Sequence, residues 1–439
     1  MRPTLRCILL FAGGIPVALV ATLLSRELWT LWAAYVGLSL LLCAFDIVYG
    51  LARRRVRLEI EAPETLFIGD EAPLVLRIGP HAPPGLEDPR PPPSLEALAD
   101  LSENLARQDA SRVVRAGRHE IPLVPLRRGR ARVAAVWLRW NGPLGLVRRT
   151  LRRRCAIDVP IVPNVKAVRQ AAVRFFTARE FLSGLKVERY VGDGSEFESL
   201  REYAPGLDPR ALNWKASARH RKLLCEEFRA ERNHQVVLAL DTGHLMSAPL
   251  AGIPKLDHAI NAGLLFSYVC LRTGDRVGWF TFDSQVRSYT EPDGGTSTFR
   301  RLQQESFSVA YTTGETNFTL ALTDLSARLR RRSLVVLLTD FVDTITAELM
   351  IENLARMSRR HLVLFVTLRD PALDEIAHER PTTLDRLHRA VVAGDFVRER
   401  DVVLRRLARL GVHTIDVPPH RVTTDLLNRY LDVKRRELV

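Results

Sequence analysis

The stretch Gln235-Val-Val-Leu-Ala-Leu-Asp241-Thr-Gly-His-Leu-Met246 decides the fold. Val236–Leu240 is apolar without a break, as in a strand covered on both faces. It ends on Asp241, and open parallel sheets place their ligands at the carboxyl ends of strands. Moving outward, the same kind of unit recurs. Leu256–Arg272 has helical spacing and stops before Gly274. Arg276–Phe282 and Gln285–Tyr289 read as strands, and Ser297–Gln304 and Phe318–Arg331 as helices. Ser333–Thr339 is a second apolar strand and leads directly to Asp340. Thr346–Ser358, His361–Leu368, Leu384–Leu410, Val412–Val417 and Thr423–Arg436 continue the alternation of helix and strand. Such alternation predicts an α/β doubly wound domain over residues 234–439.

Upstream the pattern changes. Val56–Glu61 alternates apolar and polar residues, and Leu74–Ile78 repeats the idea after the turn signal Gly69-Asp70. Glu120–Leu126, Ala131–Trp140 and Ala156–Val162 add short strands, with Trp140–Leu146 as a turn and the Pro-rich His81–Pro93 as a loop. Residues 53–165 therefore read as a small antiparallel β-sandwich.

The amino terminus reads as a transmembrane hairpin over residues 1–52. Cys7–Leu24 carries no charge, and Leu28–Leu51 carries only Asp46. Asp46 reads as a residue snorkelling at one membrane face. Arg2 and Arg6 precede the first span, and Arg53, Arg54, Arg55 and Arg57 follow the second. The positive-inside rule then puts both ends, and the bulk of the chain, on the cytoplasmic side of the inner membrane.

The net charge is +14, carried by 58 arginines and six lysines. Charge alone raises nucleic acid or anionic lipid as partners. No zinc-finger spacing, basic tail or aromatic-interleaved basic motif accompanies it, so no specific nucleic-acid partner is expected. The five cysteines are scattered, which argues against a disulfide framework. No GxSxG or HExxH context is present, and His220, His234 and His244 form no spaced ligand set. The expectation is a binding protein and not an enzyme, with a hydrolase as the lesser alternative.

Residues 166–233 form a connector rich in Gly, acids and Arg. Its core is Gly192–Ala230, with Glu196-Phe197, Leu200-Arg201-Glu202-Tyr203, Pro205-Gly206, Asp208, Arg210, Asn213-Trp214 and Ser217-Ala218-Arg219. This string resembles the hallmark of family 58 of the domains of unknown function, close to "EF..LReY.pGD..R.i.W..sAr". Leu207 departs from it, standing where the family usually has Asp. The α/β half that follows looks like a von Willebrand factor A domain, and the membrane hairpin and β-rich unit match the family's usual layout.

The resemblance implies a divalent-cation site built from an Asp-x-Ser-x-Ser loop, a Thr in a second loop and an Asp in a third. Asp241, Thr316 and Asp340 match. Gly243 and Leu245 stand where the two serines would be, so the adhesion site is degenerate. Two readings stay open. Magnesium binds with water filling the missing positions, or the loop is vestigial and backbone amides and Thr316 hold the carboxylates. Members of the resembled family are associated with MoxR-type AAA+ ATPases in maturing or assembling other proteins. The resemblance thus implies a MoxR-type ATPase and a client protein as partners. Arg201, Asp208, Arg210, Trp214 and Arg219 would shape the partner-binding surface. A membrane-surface or envelope scaffold is the alternative reading.

Overall fold

In this computed structural model the chain is described except for residues 25–28, 51–55, 81–93, 108–110, 169, 171–190, 205–211, 230–233, 343 and 437–439. It divides into two units, Met1–Val162 and Pro163–Val439.

The first unit begins with strand β1 (Arg2–Pro3) and helices α1 (Leu5–Ala12), α2 (Gly14–Leu24) and α3 (Trp29–Tyr49). Among the described residues, one helix is long and apolar enough to cross a membrane, α3, with 21 residues and a mean hydropathy of 2.0 over its best window; of the other expected span, Leu5–Leu19 is a shorter apolar helix. The first apolar stretch stays helical through Gly13, whose backbone has φ −61° and ψ −19° and whose amide donates to the Leu9 carbonyl at 2.9 Å. There the Tyr35 hydroxyl donates to the Leu10 carbonyl at 2.6 Å, and a Cβ on Gly13 would meet that hydroxyl at 3.0 Å. The close approach of the two helices therefore requires glycine at this position. Leu31, Leu38, Leu41 and Val48 project outward from α3 and are more than half exposed, as lipid-facing side chains would be.

Asp46 does not snorkel. It is fully buried near the end of α3, where its carboxylate accepts from the backbone amides of Leu144, Leu146 and Val147 at 2.7, 2.9 and 2.7 Å. Three N–H donors toward one carboxylate satisfy its charge without water. A Cβ on Gly142 would overlap that carboxylate, so the turn needs glycine there.

That turn joins two long strands. The β-strands after the helices are β2 (Val56–Glu61), β3 (Leu66–Phe67), β4 (Ala72–Pro80), β5 (Leu95–Leu101), β6 (Arg112–Val114), β7 (Gly117–Leu123), β8 (Gly129–Asn141) and β9 (Val147–Val162). They form a three-stranded sheet, β2-β4-β7, and a larger sheet in the order β1-β9-β8-β5-β6 with β3 beside β9. Alternate residues of both sheets are buried, among them Leu74, Leu76, Ile121, Leu138 and Trp140, giving the sandwich pattern the sequence suggests. Strands β5 and β6 were not legible, because β5 follows the Pro-rich stretch directly and β6 has only three residues.

The second unit opens with β10 (Val191–Glu202) antiparallel to β11 (Leu224–Arg229), enclosing a helix at Trp214–His220. The Asn213 side chain caps that helix by accepting from the Ala216 amide at 2.8 Å. Then follow β12 (Gln235–Asp241), β13 (Pro249–Leu250), β14 (Ile253–Pro254), β15 (Arg276–Phe282), β16 (Val286–Asp293), β17 (Ser333–Leu338), β18 (Leu362–Leu368) and β19 (His413–Val417). The main sheet has the order β16-β15-β12-β17-β18-β19, parallel except for the edge strand β16. In chain order this is 3-2-1-4-5-6, a doubly wound α/β sheet whose switch point lies between β12 and β17.

The apolar run of β12 serves both faces. Val236, Leu238 and Leu240 join the core beneath helices Lys255–Arg272 and Pro419–Arg435. Val237 and Ala239 join the opposite core, beneath Phe318–Arg328, Thr344–Ser358 and Leu384–Arg409. The carboxyl-terminal helix is further tied down at buried Asp275, which accepts from the Tyr430 hydroxyl and, at 3.1 Å, from Lys434. The short helix Pro371–His378 has no counterpart in the sequence reading, being amphipathic over only two turns.

Replacing Asp46 by Ala would leave three backbone donors without their acceptor. Each buried unsatisfied donor costs about 1–3 kcal/mol, so a loss of at least about 3 kcal/mol is expected. Thermal unfolding of the detergent-solubilised chain measures it, and a change below about 1 kcal/mol would show that Asp46 is not the turn's anchor.

Candidate functional site

Three neighbouring parallel strands end on or beside an aspartate. Asp241 closes β12, Asp283 follows β15 and Asp340 follows β17 two residues on. All three are at most 4% exposed. Buried carboxylates demand donors, and the surrounding loops supply them.

Around Asp241, one oxygen accepts from the Gly243 amide at 2.8 Å and from the Thr316 hydroxyl at 2.7 Å. The other accepts from the Thr339 hydroxyl at 2.5 Å. Burial nevertheless pushes this carboxyl up to about 6; the three donors pull against that shift and the nearby Asp340 charge adds to it.

Asp340 is treated differently. One oxygen accepts from the Phe341 amide at 3.0 Å, the Thr367 hydroxyl at 3.1 Å and Arg400 at 2.8 Å; the other accepts from the Lys255 ammonium. Burial pushes Asp340 up, but the Arg400 and Lys255 charges outweigh it and hold the carboxyl below its usual range. Arg400 also donates to Asp416 at 3.0 Å, to the Thr367 hydroxyl at 2.5 Å and to the Leu368 carbonyl at 3.1 Å. One guanidinium thus joins the carboxyl ends of β17, β18 and β19. Asp283 is held low in the same fashion, burial being outweighed by Arg287 at 2.7 Å.

The structure brings Asp241, Thr316 and Asp340 to one end of the sheet, as their alignment with the three loops implies. Arg201, Trp214 and Arg219 lie elsewhere in the chain, on β10 and on the helix Trp214–His220, and are exposed, Trp214 by 70%. Asp208 and Arg210 lie outside the described residues. Thr242 is buried and bonds the Phe282 carbonyl at 3.1 Å, while His244 is exposed.

The donor set does not fit a resident divalent cation. A hard cation needs free oxygen ligands, and the oxygens of Asp241 and Asp340 are already engaged. Two protein cations, Lys255 and Arg400, stand against Asp340. The first missing serine is also excluded sterically, because a Cβ on Gly243 would overlap the Thr316 hydroxyl. Sequence reasoning missed Lys255, Asp283, Thr339, Arg400 and Asp416. Thr339 was findable from its place beside Asp340. Arg400 was not, since it lies 60 residues away on an arginine-rich helix.

Beside these charges lies a cavity of about 180 Å³, room for about six waters. Leu245, Phe341, Val342 and Phe396 give it apolar walls, and Asp370 and Asp401 contribute carboxylates. Val342 and Phe396 are 39% and 40% exposed at its mouth.

Three outcomes follow from this geometry. With a folded-state value near 6 against 3.8, Asp241 keeps its proton on folding between about pH 4 and 6, so stability declines as pH rises through that window. Relative to Asp241→Asn, the parent should lose about 2 kcal/mol between pH 4 and 7. A difference that stays flat in denaturant titrations across that range would contradict the burial argument. In the second case, Lys255→Met should cost about 1–3 kcal/mol, because Arg400 still pairs Asp340. Calorimetry should find magnesium and manganese silent with the parent chain; micromolar binding by the parent would overturn the fit argument.

Comparison with known proteins adds the following. Residues 199–389 match the family described as "Protein of unknown function DUF58". No curated protein matches the chain. Among solved structures, the chain is similar to the conserved hypothetical protein BatB from Bacteroides thetaiotaomicron, at 15% identity and a TM-score of 0.33, over 47% of this chain and 100% of that one. It is similar to an aerotolerance-related membrane protein from Bacteroides fragilis NCTC 9343, at 14% identity and a TM-score of 0.30, over 46% and 99%. The SpRpn10 VWA domain is similar at 10% identity and a TM-score of 0.28, over 45% and 95%. At such scores the fold assignment rests on the strand order itself. The matched residues 199–389 overlap the string from Glu196 to Arg219, whose resemblance is to the same family.

Proposed function

We propose that this chain is a membrane-anchored protein-interaction module whose docking face is the carboxyl end of the main sheet, and that its partner there is a MoxR-type AAA+ ATPase acting on a client protein. The observation that carries the reading is the closed charge network at the switch point. Asp241 and Asp340 spend their oxygens on Thr316, Thr339, Lys255 and Arg400. Such a face offers a preformed, metal-free surface with a small apolar-mouthed cavity. That suits capture of a partner's side chain better than bond chemistry, which needs a nucleophile beside a base or an open metal position.

The apolar helix Trp29–Tyr49 supports a membrane anchor. The arginines at positions 2, 6 and 57 flank the apolar region and favour a cytoplasmic location for the remainder. An ATPase of the cytoplasm could then reach the docking face directly.

The test is affinity capture with the detergent-solubilised full chain in the presence of ATP and of ADP. An AAA+ ATPase should be recovered, and Val342→Asp, at the cavity mouth, should weaken capture by about tenfold or more, as hot-spot substitutions do. Recovery of no ATPase with either nucleotide would sink the proposal.

A further inference from the structure

A second cavity lies in the first unit, on the solvent side of the larger sheet. It holds about 790 Å³, within the range of small-molecule sites. Its floor follows from strand register. On β9, Arg148, Thr150 and Arg152 share one face; opposite them on β8 stand Asn141, Arg139 and Trp137. Glu96 on β5 pairs with Arg139 at 2.6 Å, which neutralises one arginine. Three more remain: Arg2, Arg148 and Arg152.

The placement of these three is unusual for a structural role. Arg2 of β1 lies directly opposite Arg148 of β9. Directly opposed like charges destabilise a strand pair. Among the described residues, Arg148 Nε donates to a neutral partner, Asn141, at 3.1 Å. Arg152 stacks over the Trp137 ring at 4.9 Å, which orders the guanidinium without neutralising it. Guanidinium forks held in this way match the oxygens of a phosphate.

The cavity also borders the apolar helices. Arg2 and Pro3 belong to its wall, and α1 begins two residues later with Leu5 71% and Leu9 61% exposed. At the other edge, Arg148 follows Val147, whose amide is held by Asp46 of α3. The start of one apolar helix and the end of the other thus meet the cavity at the same strand turn.

We propose that this cavity is a binding site for the phosphate of an anionic phospholipid headgroup, held by Arg2, Arg148 and Arg152. The site needs neither the docking face nor its partner, so it stands apart from the function proposed above. The lipid would neutralise the Arg2–Arg148 opposition and fix the first unit against the membrane surface.

The test reconstitutes the full chain into nanodiscs of phosphatidylcholine with and without phosphatidylglycerol, and reads retained lipid by native mass spectrometry. The parent should retain phosphatidylglycerol in preference to phosphatidylcholine. The double variant Arg148→Gln/Arg152→Gln should weaken that retention by roughly 30-fold, the effect of two arginines at an anionic surface. The control Arg77→Gln/Arg118→Gln removes the same charge from exposed positions on β4 and β7 and should leave retention unchanged. Circular dichroism of both variants separates loss of binding from loss of the sheet. Equal losses in both variants, or no headgroup preference in the parent, would overturn the proposal. Tight binding of inorganic phosphate by lipid-free, detergent-solubilised protein, abolished by the first variant, would overturn the lipid assignment.

Discussion

Two carboxylates buried side by side at the switch point of a parallel sheet constrain everything around them. Asp241 and Asp340 are 1% and 4% exposed, and each repels the other's ionised form. Two solutions are available to such a pair: an external cation, or donors and cations from the chain. This sequence follows the second. Hydroxyls from Thr316 and Thr339 serve Asp241, and Lys255 and Arg400 serve Asp340. Removing the serine position at Gly243 is part of the same solution, because the Thr316 hydroxyl occupies the space a serine would fill.

Much of the α/β half was legible because its signal is local. A five-residue apolar run rich in Val and bounded by Asp241 has the length of a doubly covered strand, and β17 repeats it in front of Asp340. The location of the site was legible for the same reason, since strand-end aspartates mark the carboxyl edge of the sheet. Its chemistry was not. Whether a loop holds a cation depends on what else enters the space, and Lys255 and Arg400 reach it from helices whose patterns say nothing about that contact. The membrane region shows a similar limit. Hydropathy registers Cys7–Leu24 as an apolar stretch, but not the Tyr35 hydroxyl of a neighbouring helix that packs against Gly13 and bonds the Leu10 carbonyl.

Asp46 shows how composition misleads when partners are distant. A lone carboxylate in an apolar helix suggests a membrane-facing role. Its partners are three amides about a hundred residues away, in a turn whose Gly142 permits the approach. The first unit and the strand-end face thus share one design: a buried carboxylate satisfied by backbone and side-chain donors, fastening irregular loops to regular elements.

Arg400 has a consequence for the order in which the molecule is made. Asp340 emerges from the ribosome with β17, but its guanidinium partner follows 60 residues later and Asp416 later still. During synthesis Lys255, already made, can serve one of its oxygens, while the oxygen that Arg400 serves lacks that partner until the later helix is made. The Arg400 link among the ends of β17, β18 and β19 can therefore form only after Asp416 has been made. A nascent chain cannot display a finished binding surface before its sheet is complete.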